Sequence, residues 1–206
     1  MPFVEHSSYM PPRLLKNGHM QSLYSIVLRA KAQVSYQRER FDTPDGDFLD
    51  LDWSLVGSPD VLAIVCHGLV GDSKQPYMLG MVKALNRRGI SALAWNQRGC
   101  GGEPNKKPFS YHCGSTEDLH LVTESVARSG RFRTIVLIGF SMGGNVVLKY
   151  VGEQGKQLNP RVAGAVAFST PCDLTECAPK ASAGKKHCLF SMVYARPEAT
   201  HFVKGT

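Results

Sequence analysis

The apolar and polar positions of this chain fall into blocks whose period changes along its length. Residues 33–41 and 48–55 read as two strands, and Thr43-Pro44-Asp45-Gly46 between them is a turn sequence, so the pair predicts a β-hairpin. Val61–Cys66 is a continuous apolar run, as in a strand covered on both faces. Residues 77–88 carry helical spacing and meet Gly89, a natural helix stop. A strand is predicted over 90–95. A helix follows over 116–128, with Ser115 or Thr116 as its cap and Glu117-Asp118 in its first turn. Residues 135–140 are a second buried apolar run, the chain turns helical again from Asn145, and 161–168 predict one more buried strand. A short helix is expected around 20–30. Strands alternating with helices predict an α/β fold with a mostly parallel, doubly wound sheet and an N-terminal antiparallel hairpin.

Length and composition narrow this picture. With 206 residues, 43% hydrophobic and 20% charged, the chain suits one domain with a real core. We divide it into an arm over 1–30, a core over 31–178 and a divergent tail over 179–206. No apolar run reaches the roughly 18 residues of a membrane span, and the start has no signal-peptide core, so a cytoplasmic protein without stable membrane insertion is expected. The net charge of +7 is scattered in short groups such as Lys106-Lys107 and Lys185-Lys186, which read as solvated surface rather than a nucleic-acid site. The six cysteines include no CxxC pair, and the seven histidines show no paired spacing, so no metal and no cofactor are expected. Neither GxGxxG opening a helix nor a P-loop lysine is present, which argues against a nucleotide site.

The chemistry concentrates at Gly139-Phe140-Ser141-Met142-Gly143, a G-x-S-x-G placed between a buried strand and a helix. Such a corner lifts a serine out of the backbone beside the positive end of the helix, so Ser141 is the expected nucleophile of an acyl transfer. The Met142 N–H is the expected first oxyanion donor. The second is expected from the loop Cys66-His67-Gly68-Leu69-Val70-Gly71-Asp72, with Leu69 N–H as donor, Gly68 allowing close approach and His67 ordering the loop rather than acting as base. The acid and base are not fixed by spacing. Asp173 after the last predicted strand is a weak acid candidate beside its reading as a turn residue, and His187 and His201 are weak base candidates.

Several further stretches, in order, resemble one family. Asn17-Gly18-His19-Met20-Gln21, His67 to Tyr77, Asn96 to Asn105, Tyr111 to Leu119, Gly139 to Tyr150 and Pro171 to Leu174 are similar to the NGHMQ, HGLxGDSxxPY, NxRGCxGxPN, YHxGxTxDL, GFSxGGNxxLKY and PCDL segments of the YheT-like α/β-hydrolases. The resemblance covers roughly residues 11–178. It implies an α/β-hydrolase fold, a serine esterase or lipase-like activity on a small-molecule ester or lipid, and a Ser-Asp-His triad. It fades after about Pro179, where the family continues with further strands that carry the triad acid and base. The chain is therefore expected to be C-terminally truncated, with the last strands missing and 162–168 left as an apolar sheet edge. The alternative to an active serine carboxylesterase is a catalytically incomplete fragment of the fold, or a non-catalytic binding protein built on it.

Overall fold

The computed structural model describes residues 9–13, 16–17, 24, 32–57, 60–108 and 111–173. Within them six strands form one sheet: β1 (Gln37–Asp42), β2 (Phe48–Ser54), β3 (Val61–Cys66), β4 (Ser91–Asn96), β5 (Thr134–Phe140) and β6 (Val162–Phe168). Three helices connect them: α1 (Pro76–Asn86), α2 (Glu117–Arg128) and α3 (Met142–Gln154), the last continued by a 3₁₀ turn over Gly155–Gln157. The strand order is β1-β2-β4-β3-β5-β6. β1 and β2 pair antiparallel, β2 joins β4 antiparallel, and β4, β3, β5 and β6 run parallel.

Side-chain alternation divides the core in two. Leu62, Ile64 and Cys66 of β3, with Leu93 and Trp95 of β4, face Leu119, Val122 and Val126 of α2 and Val146, Val147 and Tyr150 of α3. Ala63, Val65, Ala92 and Ala94 face the other way, where Met78 and Val82 of α1 cover them. The alanines on that face let a single helix lie close. Helices on both faces make the sheet doubly wound, as the apolar blocks predict. Connections leave β3 in opposite directions, to β4 through α1 and, by way of β4 and α2, back across to β5. The carboxyl ends of β3 and β5 are thus the point where strand order reverses, the usual place for a ligand crevice in an open parallel sheet.

A buried polar network ties the N-terminal hairpin to this end of the sheet. Asp50, Asp52 and Asp47 are almost fully buried. The Arg38 guanidinium donates to both Asp52 oxygens at 2.8 and 2.7 Å, Ser73 Oγ donates to Asp52 at 2.5 Å, and Asn96 Nδ2 donates to it at 2.8 Å. Arg40 donates to Asp50 at 3.0 Å. Arg98 donates from Nε and NH2 to the two oxygens of Asp118 at 2.7 and 2.8 Å, and from NH1 to Asp45 at 2.7 Å and Asp47 at 3.3 Å. Many residues of the motif stretches 67–77, 96–105 and 111–119 serve as these fasteners.

Three sequence expectations change. Strand β1 begins at Gln37 rather than Gln33. Thr116 is the N-cap residue of α2, one of the two candidates expected, but its side chain makes no capping bond: its hydroxyl donates to Glu153 of α3 at 2.6 Å, and Ser115 Oγ accepts from His112 N–H at 3.2 Å. Strand β6 is not the buried strand that its apolar run alone predicts, but the apolar sheet edge also expected for 162–168. It is the outer strand of the described sheet, pairing with β5 and packed by α3, and Val166 and Phe168 remain 44% and 40% exposed. An apolar sequence reports a preference for burial, and a neighbouring strand must satisfy it. The helix expected over 20–30, apart from Tyr24, and the tail over 179–206 lie outside the described residues.

Candidate active site

Ser141 is the single residue between β5 and α3, and it makes the corner at φ +51°, ψ −118°. An L-residue adopts this backbone only at a cost. Three hydrogen bonds hold it there. Its N–H donates to Phe168 O at 2.8 Å, and its carbonyl accepts from Gly144 N–H at 3.0 Å and Asn145 N–H at 3.2 Å. The strand is thereby locked to β6 on one side and to the first turn of α3 on the other, while the serine side chain stays exposed.

The flanking glycines are required by close approach. A Cβ at Gly139 would lie 2.5 Å from Gly144 Cα, and one at Gly143 would lie 2.6 Å from Cys66 O and on His67 O. The start of α3 therefore rests on the last carbonyls of β3. Across the crevice, a Cβ at Gly68 would lie 3.2 Å from Ser141 Cβ. The loop after β3 and the serine corner after β5 thus touch. In this arrangement the N–H groups of Leu69 and Met142 have no hydrogen-bond partner among the described residues. Leu69 and Val70 are 51% and 48% exposed beside the serine, and Tyr77, Phe140 and Phe168 form a row of ring contacts at centroid distances of 4.9 and 5.1 Å.

His67 is fully buried and both its ring nitrogens are engaged. Nδ1 is 2.7 Å from Gly68 O, and Nε2 lies 3.1 Å from Gln97 N, from which it accepts. The Gln97 side chain returns a bond from Nε2 to His67 O at 3.1 Å. Burial pushes the imidazole down to about 4, against a smaller upward pull from the Gly68 carbonyl. A neutral ring spent on two backbone groups orders the loop. Its protonation also makes a prediction. An unfolded chain protonates this histidine below about 6.5 and the native one only near 4, so the unfolded state binds more protons in between. Stability is expected to fall as pH drops through that window, by about 1.4 kcal/mol per pH unit. Urea midpoints from pH 7.5 to 4 would measure it, and His67→Gln should flatten that limb.

Asp173 is exposed, five residues beyond the end of β6. The segment before it is anchored at the corner, since Asn145 Nδ2 donates to Pro171 O at 3.0 Å. His187 and His201 lie outside the described residues. No group of three His, Cys, Asp or Glu able to hold a metal occurs among the described residues. The cysteines at 66, 100, 113 and 172 are free thiols, and burial pushes the Cys66 thiol well above its ordinary range, leaving it inert. Gln97, Tyr77 and Tyr111 were missed as site residues by sequence reasoning. The one signal for them was their place inside the motif stretches.

Comparison with known proteins bears on the fold. The family model Hydrolase_4, described as serine aminopeptidase S33, matches residues 57–199. The YheT protein of Escherichia coli K12, whose name provisionally makes it an esterase, is 32% identical over 197 residues, covering 94% of this chain and 56% of its own length. Human phospholipase ABHD3 is 30% identical over 182 residues, covering 84% of this chain and 44% of its own. The chain spans about half the length of these curated relatives. Among solved structures, an esterase of Pyrococcus furiosus, Pf2001, superposes with a TM-score of 0.61 at 23% identity, covering 91% of this chain and 68% of that one. XC6422 of Xanthomonas campestris, titled as an α/β serine hydrolase without lid, gives 0.56 at 24%, covering 71% and 66%. At these identities the structures establish a shared fold.

Proposed function

We propose, from the premise that the chain belongs to the α/β-hydrolase family, that it hydrolyses carboxylic esters through an acyl-enzyme on Ser141. The observation that carries this reading is the serine itself, exposed on a positive-φ corner and facing a glycine loop across the switch point of the sheet. Strain of this kind is kept where the rest of the structure over-determines it, and it marks functional positions.

In the proposed reaction Ser141 Oγ attacks the ester carbonyl and its proton passes to a general base. The carbonyl oxygen becomes an oxyanion, received by the N–H groups of Leu69 and Met142. Collapse expels the alcohol, which leaves with the proton held by the base. Water then attacks the acyl-serine, the carboxylic acid departs and Ser141 recovers its hydrogen. Gly68, Gly139 and Gly143 permit the close packing, and His67 holds the loop as a neutral ring. We assign no acid or base among the described residues. Asp173, His187 and His201 remain the candidates for mutation. The exposed apolar side chains of Leu69, Val70 and Phe168 suit an aliphatic or lipid acyl group. The names of relatives point the same way, as esterase, phospholipase and, for human ABHD2, monoacylglycerol lipase. No helix among the described residues is long and apolar enough to cross a membrane. We propose a small-molecule ester or lipid as the partner, with no nucleic acid, no metal and no cofactor, and a cytoplasmic setting.

The test is reaction of the 206-residue chain with a fluorophosphonate, followed by peptide mapping, beside hydrolysis of short and medium p-nitrophenyl esters. An adduct on Ser141 supports the reading. A folded protein that neither labels nor hydrolyses would sink it and leave either a catalytically incomplete fragment of a hydrolase or a binding protein on the same fold.

A further inference from the structure

Three of the four backbone N–H groups of Gly68–Gly71 have a partner. Gly68 N–H donates to the Tyr77 hydroxyl at 3.0 Å, Val70 N–H donates to the Tyr111 hydroxyl at 2.6 Å, and Gly71 N–H donates to Gly68 O at 3.1 Å. Among the described residues, Leu69 N–H alone in this run has no partner. Two phenol oxygens thus bracket the one N–H left without a partner. Val70 sits at φ +53°, a conformation a β-branched residue adopts only when held. The group that engages its N–H is Tyr111.

Both rings are themselves fixed. Tyr77, in the first turn of α1, packs on Phe140 of the serine strand at 4.9 Å. Its hydroxyl sits so far into the turn that a Cβ on Gly71 would meet it at 2.8 Å. Tyr111 makes a T-shaped contact with the His67 ring at 6.0 Å and lies in the connection between β4 and α2. One tyrosine therefore couples the loop to β5, and the other couples it to the loops after β4. A turn held only by its own backbone would be free to rotate the Leu69 peptide. This one is pinned on either side of it.

We propose that Tyr77 and Tyr111 are positioning residues that clamp the Gly68–Gly71 turn by its N–H groups and so aim the Leu69 N–H at the oxyanion of a Ser141 intermediate. The proposal rests on the ester-hydrolysis reading above. It adds two residues that touch neither nucleophile nor substrate carbonyl.

Removing one phenol oxygen tests the clamp while keeping the ring. In Tyr111→Phe, amide exchange followed residue by residue in a ¹⁵N-labelled chain should speed up at Val70 at least about 10-fold, and in Tyr77→Phe at Gly68, as each amide loses its acceptor. Fluorophosphonate labelling places the P=O oxygen where the oxyanion sits. Its rate should fall about 10-fold in each variant, less than the 10²–10³ lost when a donor is removed outright, and about 100-fold in the double variant. Ester kcat should fall while KM holds, because the N–H acts in the transition state. A tyrosine that only stiffens the fold would lower the melting midpoint and leave labelling of the folded protein untouched. Labelling rates within twofold of the parent, or unchanged exchange at Gly68 and Val70, would overturn the proposal. The two single variants are independent, so either one that folds decides. Failure of the parent chain itself to label is a separate result: it removes the ester-hydrolysis reading and the oxyanion role with it.

Discussion

Ser141→Gly is expected to abolish fluorophosphonate labelling and ester hydrolysis while yielding a more stable protein than Ser141→Ala. Loss of the hydroxyl removes the attacking atom, so turnover should fall at least about 10³-fold in either variant, to what binding and the oxyanion donors provide alone. The stability order is the informative part. In ordinary helix or strand positions glycine is worse than alanine by about 0.5–1 kcal/mol, because the unfolded chain gains freedom. At φ +51°, ψ −118° alanine keeps the Cβ that makes the backbone costly, whereas glycine does not. Strain of about 1–3 kcal/mol outweighs the entropy term, so glycine should come out ahead by about 1–2 kcal/mol. The parent serine carries the same strain and should also be less stable than Ser141→Gly. Urea denaturation of the three proteins measures the order. Alanine equal to or above glycine would mean that the corner stores no strain, and the argument from strain to function would go with it.

What could be read from the sequence follows from how local each cause is. The corner was legible because its pattern is one continuous run, an apolar strand, a serine between two glycines and a helix, although the contacts that force Gly143 come from Cys66 and His67. Strand β3 was legible because a strand covered on both faces has no polar position to break its run. The apolar run of β6, taken alone, misled for the same reason, and only the fading of the motif matches after about Pro179 pointed to an edge. Val162, Ala165 and Val166 read as buried, but burial of an edge strand depends on a neighbour that its own residues do not specify. The carboxylates of β2 show a related limit. Asp50 and Asp52 alternate with Leu49, Leu51 and Trp53, which says that they share a face and not what covers it. They are buried because Arg38, Arg40, Ser73 and Asn96, from three other parts of the chain, close over them. His67 could be placed in the loop from the sequence, whereas its neutrality could not, since that comes from the burial the rest of the fold imposes on it. Tyr77 and Tyr111 were visible only as letters in a motif, because a phenol that binds a backbone N–H leaves no periodic trace.

Arg98→Ala is expected to cost about 3 kcal/mol, at the lower end of what removing one partner of a buried ion pair costs. Arg98 and Asp118 are each about one-tenth exposed, and their bond is bidentate. The third nitrogen reaches the hairpin turn at Asp45 and Asp47. One side chain therefore joins the loop after β4, the start of α2 and the β1–β2 turn. Asp47 keeps its bonds from Asn105 and the N–H groups of Phe48, Lys106 and Lys107, so the loss should fall mainly on Asp118. Arg98→Lys should recover less than half, because an ammonium cannot make the paired bonds of a planar fork. Arg98→Ala combined with Asp118→Ala should be less destabilised than the sum of the two, since no buried charge is then left alone. A cost below about 1 kcal/mol would instead make this a screened surface bridge. Acid titration gives an independent check. The Asp45 carboxyl is held down to about 2, first by the Thr43 hydroxyl and then by Arg98. A carboxylate with a depressed native pKa contributes stability above its unfolded value and loses it as pH falls through the native one. The parent should therefore lose stability between about pH 4 and pH 2, beneath the His67 window. Arg98→Ala, already without part of that contribution, should show a shallower limb there, while its His67 limb keeps its slope.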